Sequence, residues 1–253
     1  TQGNPEHWRN NMYANFYCTH SIGPLIHITG LRPVSVTGYE GLKNERKLRT
    51  GAKGGSFGIE MITLENGGIV KSIHGDLYRN SIWYCVYGSK GSMESAREGA
   101  SPDGVQRLYV SADSYSGAYD KALEENYIPE REQDEKGKGF GHGGSDFYSM
   151  YHFVEKLLGN KEADIIDVYE AMDMFLPGMF AYRSVLAGGV PMEIPNLRDK
   201  AVRRQYCDDT ACTDPKVAGD MLLPTLSVGT PEIEDAVYNV MRQKWLDGLK
   251  DKS

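Results

Sequence analysis

Long apolar runs are missing from this chain. No stretch approaches the roughly 20 consecutive apolar residues that a membrane helix needs, and the mean hydropathy is −0.48, so a membrane partner is not expected. Positive charge is short as well: 28 Lys and Arg stand against 35 Asp and Glu, leaving a net charge of −7. A protein that binds phosphate backbones needs a clustered basic surface, so nucleic acid is a poor partner. Cysteine is scarce. Cys18, Cys85, Cys207 and Cys212 are too few and too scattered for a disulfide framework, and Cys207 and Cys212 have neither a nearby histidine nor a second cysteine pair. Free thiols suit a reducing compartment, so a cytoplasmic location is the expectation. The opening residues, TQGNPEHW, have no basic flank or apolar run, and no signal peptide is expected from them. Also absent are a G-x-G-x-x-G opening a helix after an apolar strand, a Walker loop, H-E-x-x-H and G-x-S-x-G. Gly139–Gly144 imitates the first of these but follows a charged stretch, so no cofactor-binding residues are expected in this chain.

What is present has ordinary globular proportions, with 40% apolar and 25% charged residues among 253, and one domain over 1–253 is expected. Residues 1–18 read as an irregular lead-in. Thr19–Gly30 reads as a short helix capped by Thr19 or Ser21, with Ile22, Leu25, Ile26 and Thr29 on one face and Gly30 as its stop. Period-two alternation follows in Val34, Val36 and Gly38, in Phe57, Ile59, Met61 and Thr63, and in Ile69, Lys71 and Ile73, with Glu65–Gly68 as a tight turn. The run SIWYCVY closes on Gly88-Ser89-Lys90-Gly91, and Met93 and Val105–Val110 extend the set to roughly six strands. Residues 124–138 read as a charged surface loop. Ser145 opens a helix with Phe147, Met150, Tyr151, Val154, Leu157 and Leu158 on one side. A longer helix, opened by Asp164 or Asp167, places Val168, Ala171, Met172, Phe175, Met179, Tyr182 and Val185 on one stripe, with a kink at Pro177-Gly178. Residues 196–229 read as coil. A last helix with Thr230 as cap and Pro231 in its first turn carries Val237, Val240, Met241 and Trp245 on its apolar side. Strands first and helices later, without alternation, indicate an α+β fold rather than a doubly wound sheet.

Three clusters have residues suited to chemistry. In Tyr17-Cys18-Thr19-His20 the histidine sits at a helix start, where the positive end of the dipole favours the neutral imidazole that a general base needs. Tyr17 and Thr19 offer hydroxyls to a polyol, although the same cluster also reads as capping and packing. His142 lies in a glycine run that lets backbone approach a ligand, or that serves as a hinge. Tyr78 and Arg79 precede the SIWYCVY strand, where an arginine grips hydroxyls or is simply solvated. His27, His74 and His152 read as structural. A metal site from Cys18, His20 and His142 is a weaker alternative.

Four phrases in order carry a resemblance: Tyr17–Pro24 (YCTHSIGP), Tyr87–Glu94 (YGSKGSME), Gly141–Phe147 (GHGGSDF) and Asp167–Pro195. The chain resembles the C-terminal domain of Gfo/Idh/MocA-type oxidoreductases, nearest the sugar-active branch that includes NAD-dependent α-N-acetylgalactosaminidases. The resemblance implies an open, mostly antiparallel sheet with helices packed on one face, the other face making subunit contacts in a homo-oligomer. It also implies an N-terminal Rossmann domain that holds NAD(P), in the parent chain or a partner. By the same resemblance His20 is the candidate catalytic residue for proton transfer on a sugar or polyol. Tyr17, Thr19, Arg9, Tyr78, Arg79 and His142 are candidate substrate contacts. In a glycosidase the oxidised carbon would acidify the neighbouring C–H, allow elimination and water addition, and then take the hydride back. Such a chain is expected to be inactive alone. A non-catalytic carbohydrate-binding or assembly module is the rival reading.

Overall fold

The computed structural model describes residues 3–42, 45–75, 82–96, 107–113, 123–131 and 133–250. Along them run α1 (Thr19–Thr29), β1 (Pro33–Gly41), α2 (Glu45–Leu48), β2 (Phe57–Leu64), β3 (Ile69–Gly75), β4 (Cys85–Gly88) and β5 (Gly91–Ser95). There follow β6 (Leu108–Ala112), β7 (Leu123–Tyr127), α3 (Asp134–Gly137), α4 (Ser145–Leu157) and α5 (Val168–Leu186). The chain ends with β8 (Met192–Glu193), α6 (Lys200–Gln205), α7 (Pro215–Ala218) and α8 (Asp235–Lys250). Two compact units result, residues 1–80 with 168–253, and residues 81–167, a division that the sequence does not announce.

In the first unit an antiparallel sheet has the order β3-β2-β1-β8. Leu64 N–H donates to the Gly68 carbonyl at 2.8 Å across the Glu65–Gly68 turn, and Gly67 takes a φ of 85° there. Register places Val36 opposite Ile62 and Ile62 opposite Val70. On that face Cys18, Ile22 and Ile26 of α1 and Met174, Leu176, Phe180 and Ala181 of α5 complete one core. Gly30 ends α1 with a φ of 65°, as expected. In the second unit the antiparallel order is β4-β5-β6-β7, and the Gly88–Gly91 turn joins the first pair. The fold is α+β and antiparallel, with α1 and α5 on one face of the first sheet.

Several expectations need correction. The buried face of β2 holds Gly58, Glu60, Ile62 and Leu64, and that of β3 holds Val70 and Ser72. On β2 and β3 the alternating residues Phe57, Ile59, Met61 and Thr63, and Ile69, Lys71 and Ile73, therefore line the less buried face, whereas Val36 and Gly38 of the β1 alternation are buried. Both faces carry apolar side chains, so period two alone does not say which is covered. α5 buries Asp173, Met174, Leu176, Pro177, Gly178, Phe180, Ala181, Tyr182 and Ser184. Of the expected stripe only Tyr182 is fully covered, because a helix this apolar is enclosed on several sides. α4 buries none of its residues, and Leu157 and Leu158 are 71% and 77% exposed.

Residues 1–18 are not an irregular lead-in throughout: Trp8–Asn11 and Ala14–Tyr17 form 3-10 helices, with Asn10, Tyr13, Ala14 and Asn15 buried. The charged stretch 124–138 contains β7 and α3 rather than only loop. Within 196–229, Asp199 caps α6 by accepting from Ala201 N at 2.7 Å, and Asp214 caps α7 by accepting from Lys216 N at 3.0 Å. The last helix starts at Asp235 rather than beside Thr230, whose hydroxyl oxygen accepts from Thr225 N at 3.1 Å. Its buried residue is Tyr238, which donates to the Gly51 carbonyl at 3.0 Å, whereas Val240 and Trp245 are exposed.

Candidate functional site

The segment Tyr17–His20 joins the 3-10 helix Ala14–Tyr17 to the first turn of α1. Neither expected cap forms. Cys18 is the N-cap and makes no side-chain capping bond. Thr19 Oγ1 donates to the Met174 carbonyl of α5 at 3.4 Å, and Ser21 Oγ donates to the Cys18 carbonyl at 2.8 Å. Pro24 lies within the helix and supplies no N–H to the His20 carbonyl.

Cys18 points inward and is fully buried, so Thr19 and His20 point out and are exposed while Tyr17 is half-buried. The rings of Tyr17 and His20 stack with centroids 5.3 Å apart and an interplanar angle of 24°. Arg9 donates from Nη1 to the Tyr17 hydroxyl oxygen. Its guanidinium also lies over the Trp8 ring at 5.0 Å and the Tyr17 ring at 5.8 Å. Trp8, which is 44% exposed, leans on Phe16 at 5.9 Å. The structure thus gathers Arg9, Tyr17 and His20, with Thr19 beside them, and adds Trp8, for which sequence spacing offered no signal. A cation, two hydroxyls, an imidazole and an exposed indole are suited to a polyhydroxylated ligand. Hydroxyls and a guanidinium can bond the oxygens of such a ligand, and an indole can cover its C–H face.

Under this outer layer lies a buried polar one. Glu60 of β2 has no exposed surface and accepts from Asn15 Nδ2 at 2.5 Å. Its second carboxylate oxygen faces His74 Nδ1 at 3.4 Å, and His74 Nε2 donates to the Ala14 carbonyl at 3.0 Å. Ser72 Oγ lies 3.4 Å from His74 Nδ1 and 2.6 Å from Ser21 Oγ. The signal for Glu60 is a carboxylate in phase with Ile62 and Leu64, on the alternation opposite to Phe57, Ile59, Met61 and Thr63.

The remaining candidates stand elsewhere. Tyr78 and Arg79 lie outside the described residues. His142 belongs to the second unit, where it is 83% exposed, takes a φ of 52° and pairs through Nδ1 with Asp146 Oδ1 at 2.9 Å. A Cβ on Gly141 would meet Asp146 Oδ2 at 2.3 Å, so a carboxylate occupies the glycine turn before α4. A pyrophosphate would be repelled there, and the turn is entered from α3 rather than from a strand. Among the described residues, therefore, the glycine run does not fit a dinucleotide. His27 pairs with Glu170 at 2.5 Å across α1 and α5, and His152 Nδ1 accepts from Asp164 N at 3.2 Å. No three His, Cys, Asp or Glu side chains converge as a metal site among the described residues.

Comparison with known proteins shows what the chain as a whole is similar to. A "Glycosyl hydrolase family 109 protein" of Streptomyces coelicolor is 30% identical over 143 residues, covering 52% of this chain and 29% of that protein. The crystal structure of an aldose-aldose oxidoreductase from Caulobacter crescentus, complexed with glycerol, superposes with a TM-score of 0.53 at 17% identity. It covers 75% of this chain and 51% of its own. Levoglucosan dehydrogenase, in complex with NADH and levoglucosan, superposes with a TM-score of 0.51 at 14% identity, covering 77% of this chain and 56% of its own. The chain thus spans little more than half of these proteins, or less, and the two structures share its fold, that of the C-terminal domain of Gfo/Idh/MocA oxidoreductases. The family model for the C-terminal domain of glycosyl hydrolase 109 matches residues 41–202, and this chain belongs to that family.

Proposed function

We propose that this chain is the substrate-binding and oligomerisation part of an NAD(P)-dependent sugar or polyol oxidoreductase, or of a redox-assisted glycoside hydrolase. The observation that carries the reading is the stacked Tyr17–His20 pair with Arg9 on the tyrosine hydroxyl. It stands on the exposed end of α1 in a chain of the glycosyl hydrolase 109 family. Arg9 and Tyr17 hold substrate hydroxyls. His20 takes the proton from the hydroxyl at the carbon to be oxidised, a task for which an exposed imidazole is suited. Tyr17 limits where that imidazole can tilt. His142, Tyr78 and Arg79 are further substrate contacts in this proposal.

NAD(P) would supply the hydride acceptor, bound by a Rossmann domain in the parent chain or in a partner. The described residues here do not hold it, and the chain alone has no turnover. In this proposal the enzyme works in the cytoplasm, a reducing compartment that suits its free cysteines. To test this, the chain is combined with a nucleotide domain encoded beside or before it, and NAD reduction is followed over a sugar panel. Activity is expected only in the combination, and His20→Ala should lower kcat by about 10²–10⁴-fold, the range for loss of a general base. Undiminished turnover in His20→Ala would remove His20 from the chemistry. Sugar binding without turnover in any combination would favour a carbohydrate-binding module.

A further inference from the structure

Glu60 is a carboxylate with no exposed surface in the middle of a strand, and its side-chain partners Asn15 and His74 lead toward the segment that carries the candidate site. Directly, it accepts from Asn15 Nδ2 at 2.5 Å. Through His74, it reaches the Ala14 carbonyl, because Nδ1 faces Glu60 at 3.4 Å while Nε2 donates to Ala14 at 3.0 Å. Ala14 and Asn15 are the first two residues of the 3-10 helix that ends at Tyr17. A second branch runs from His74 through Ser72 to Ser21, whose hydroxyl donates to the Cys18 carbonyl. The network therefore holds residues 14, 15, 18 and 21, which flank Tyr17, Thr19 and His20. Burying a carboxylate is costly, and a well-packed apolar residue often serves stability as well or better. The bonding of Glu60 is also incomplete. Its Oε2 makes no hydrogen bond at 3.4 Å, and Asn15 Oδ1 is buried without a partner. A group kept for stability alone is poorly explained by this geometry, whereas a group kept to aim two carbonyls and an amide is well explained by it.

We infer that the buried Glu60–His74 pair is the positioning element of the substrate site: it sets the backbone of residues 14–21, and through it the stacking of Tyr17 on His20. Neither residue touches the ligand. The inference rests on the reading of Tyr17–His20 as the site, and its test does not need a substrate. Rings stacked at 5.3 Å shift one another's proton resonances, so the His20 ring signals of the full chain report the geometry. Tyr17→Leu gives the unstacked reference. Glu60→Gln, which keeps the size and loses the charge, should move the His20 ring signals most of the way to that reference. It should also raise amide exchange at residues 14–21 by about tenfold over the amides of β1–β3, as a local opening does. His74→Gln, a second variant, should do the same if Glu60→Gln fails to fold.

Unmoved His20 signals in a folded variant would overturn the inference. So would exchange raised evenly through the unit, since that is the mark of a merely structural role. N-acetyl-D-galactosamine titrated into the wild-type chain and the variants separates the two readings. If the wild type does not bind it but Glu60→Gln still shifts His20, the positioning stands and the sugar reading fails. If the wild type binds and Glu60→Gln binds equally well with His20 unmoved, the positioning fails alone.

Discussion

Cys18 lies between the half-buried Tyr17 and the exposed Thr19 and has no exposed surface itself. Burial pushes its thiol well up, and the nearby Glu60 carboxylate pushes it further. Tyr13 and Tyr182, stacked at 4.5 Å, are raised chiefly by the same desolvation. All three groups hold their protons more tightly folded than unfolded. Their contribution is complete below the ordinary values of 9.0 for cysteine and 10.0 for tyrosine, and is lost as pH rises above them. Urea midpoints should therefore be level near neutrality and fall steeply above pH 10.0. Iodoacetamide should label the exposed Cys207 in the native chain and spare Cys18, read by peptide mass spectrometry. Modification of both at equal rates would contradict the burial. At this scale the sequence named Tyr17, Thr19 and His20 by their side chains at a helix start, and Arg9 only through the resemblance. It was silent on Trp8 and Glu60, whose roles depend on neighbours far along the chain.

At the scale of elements, the site depends on how closely α5 lets the turn before α1 approach. Gly178 is the reason: a Cβ there would lie 2.4 Å from both the Asn15 carbonyl oxygen and Cys18 Sγ. Gly178→Ala should cost about 1–3 kcal/mol, as overpacking does, measured as a lower urea midpoint at unchanged m-value. A neutral substitution would mean that the 3-10 helix Ala14–Tyr17 can move off α5 freely. Helix ends were legible wherever a residue has one conformational use, as at Gly30. Helix faces were not. Residues 171–182 of α5 are apolar almost all round, so several stripes fit its pattern and only packing selects one. The charged stretch holding β7 shows the converse. Leu123–Tyr127 is exposed at every position, and its strand character comes from backbone pairing with β6, which composition does not record.

For the whole molecule, the outer face of the first sheet is where the proposed oligomer would form. Tyr39, Ile69 and Ile73 are 52%, 68% and 52% exposed, and Met61 stands among them. Tyr39, Ile59 and Ile73 form one row across three strands. In the proposed oligomer a second copy covers this face, and Ile73→Lys should convert it to monomer by light scattering while leaving the fold intact. A wild-type chain that is monomeric at high concentration would refute that assembly. The sequence by itself determined the α+β class, the antiparallel connections and the free thiols, because turns and short alternating runs are local chemistry. Only tertiary structure decided which sheet face is inside, which side of α5 is buried and that Glu60, His74 and Asn15 meet beneath α1. Those outcomes depend on which of two similar surfaces finds a partner, and a partner distant in sequence leaves no mark on local pattern.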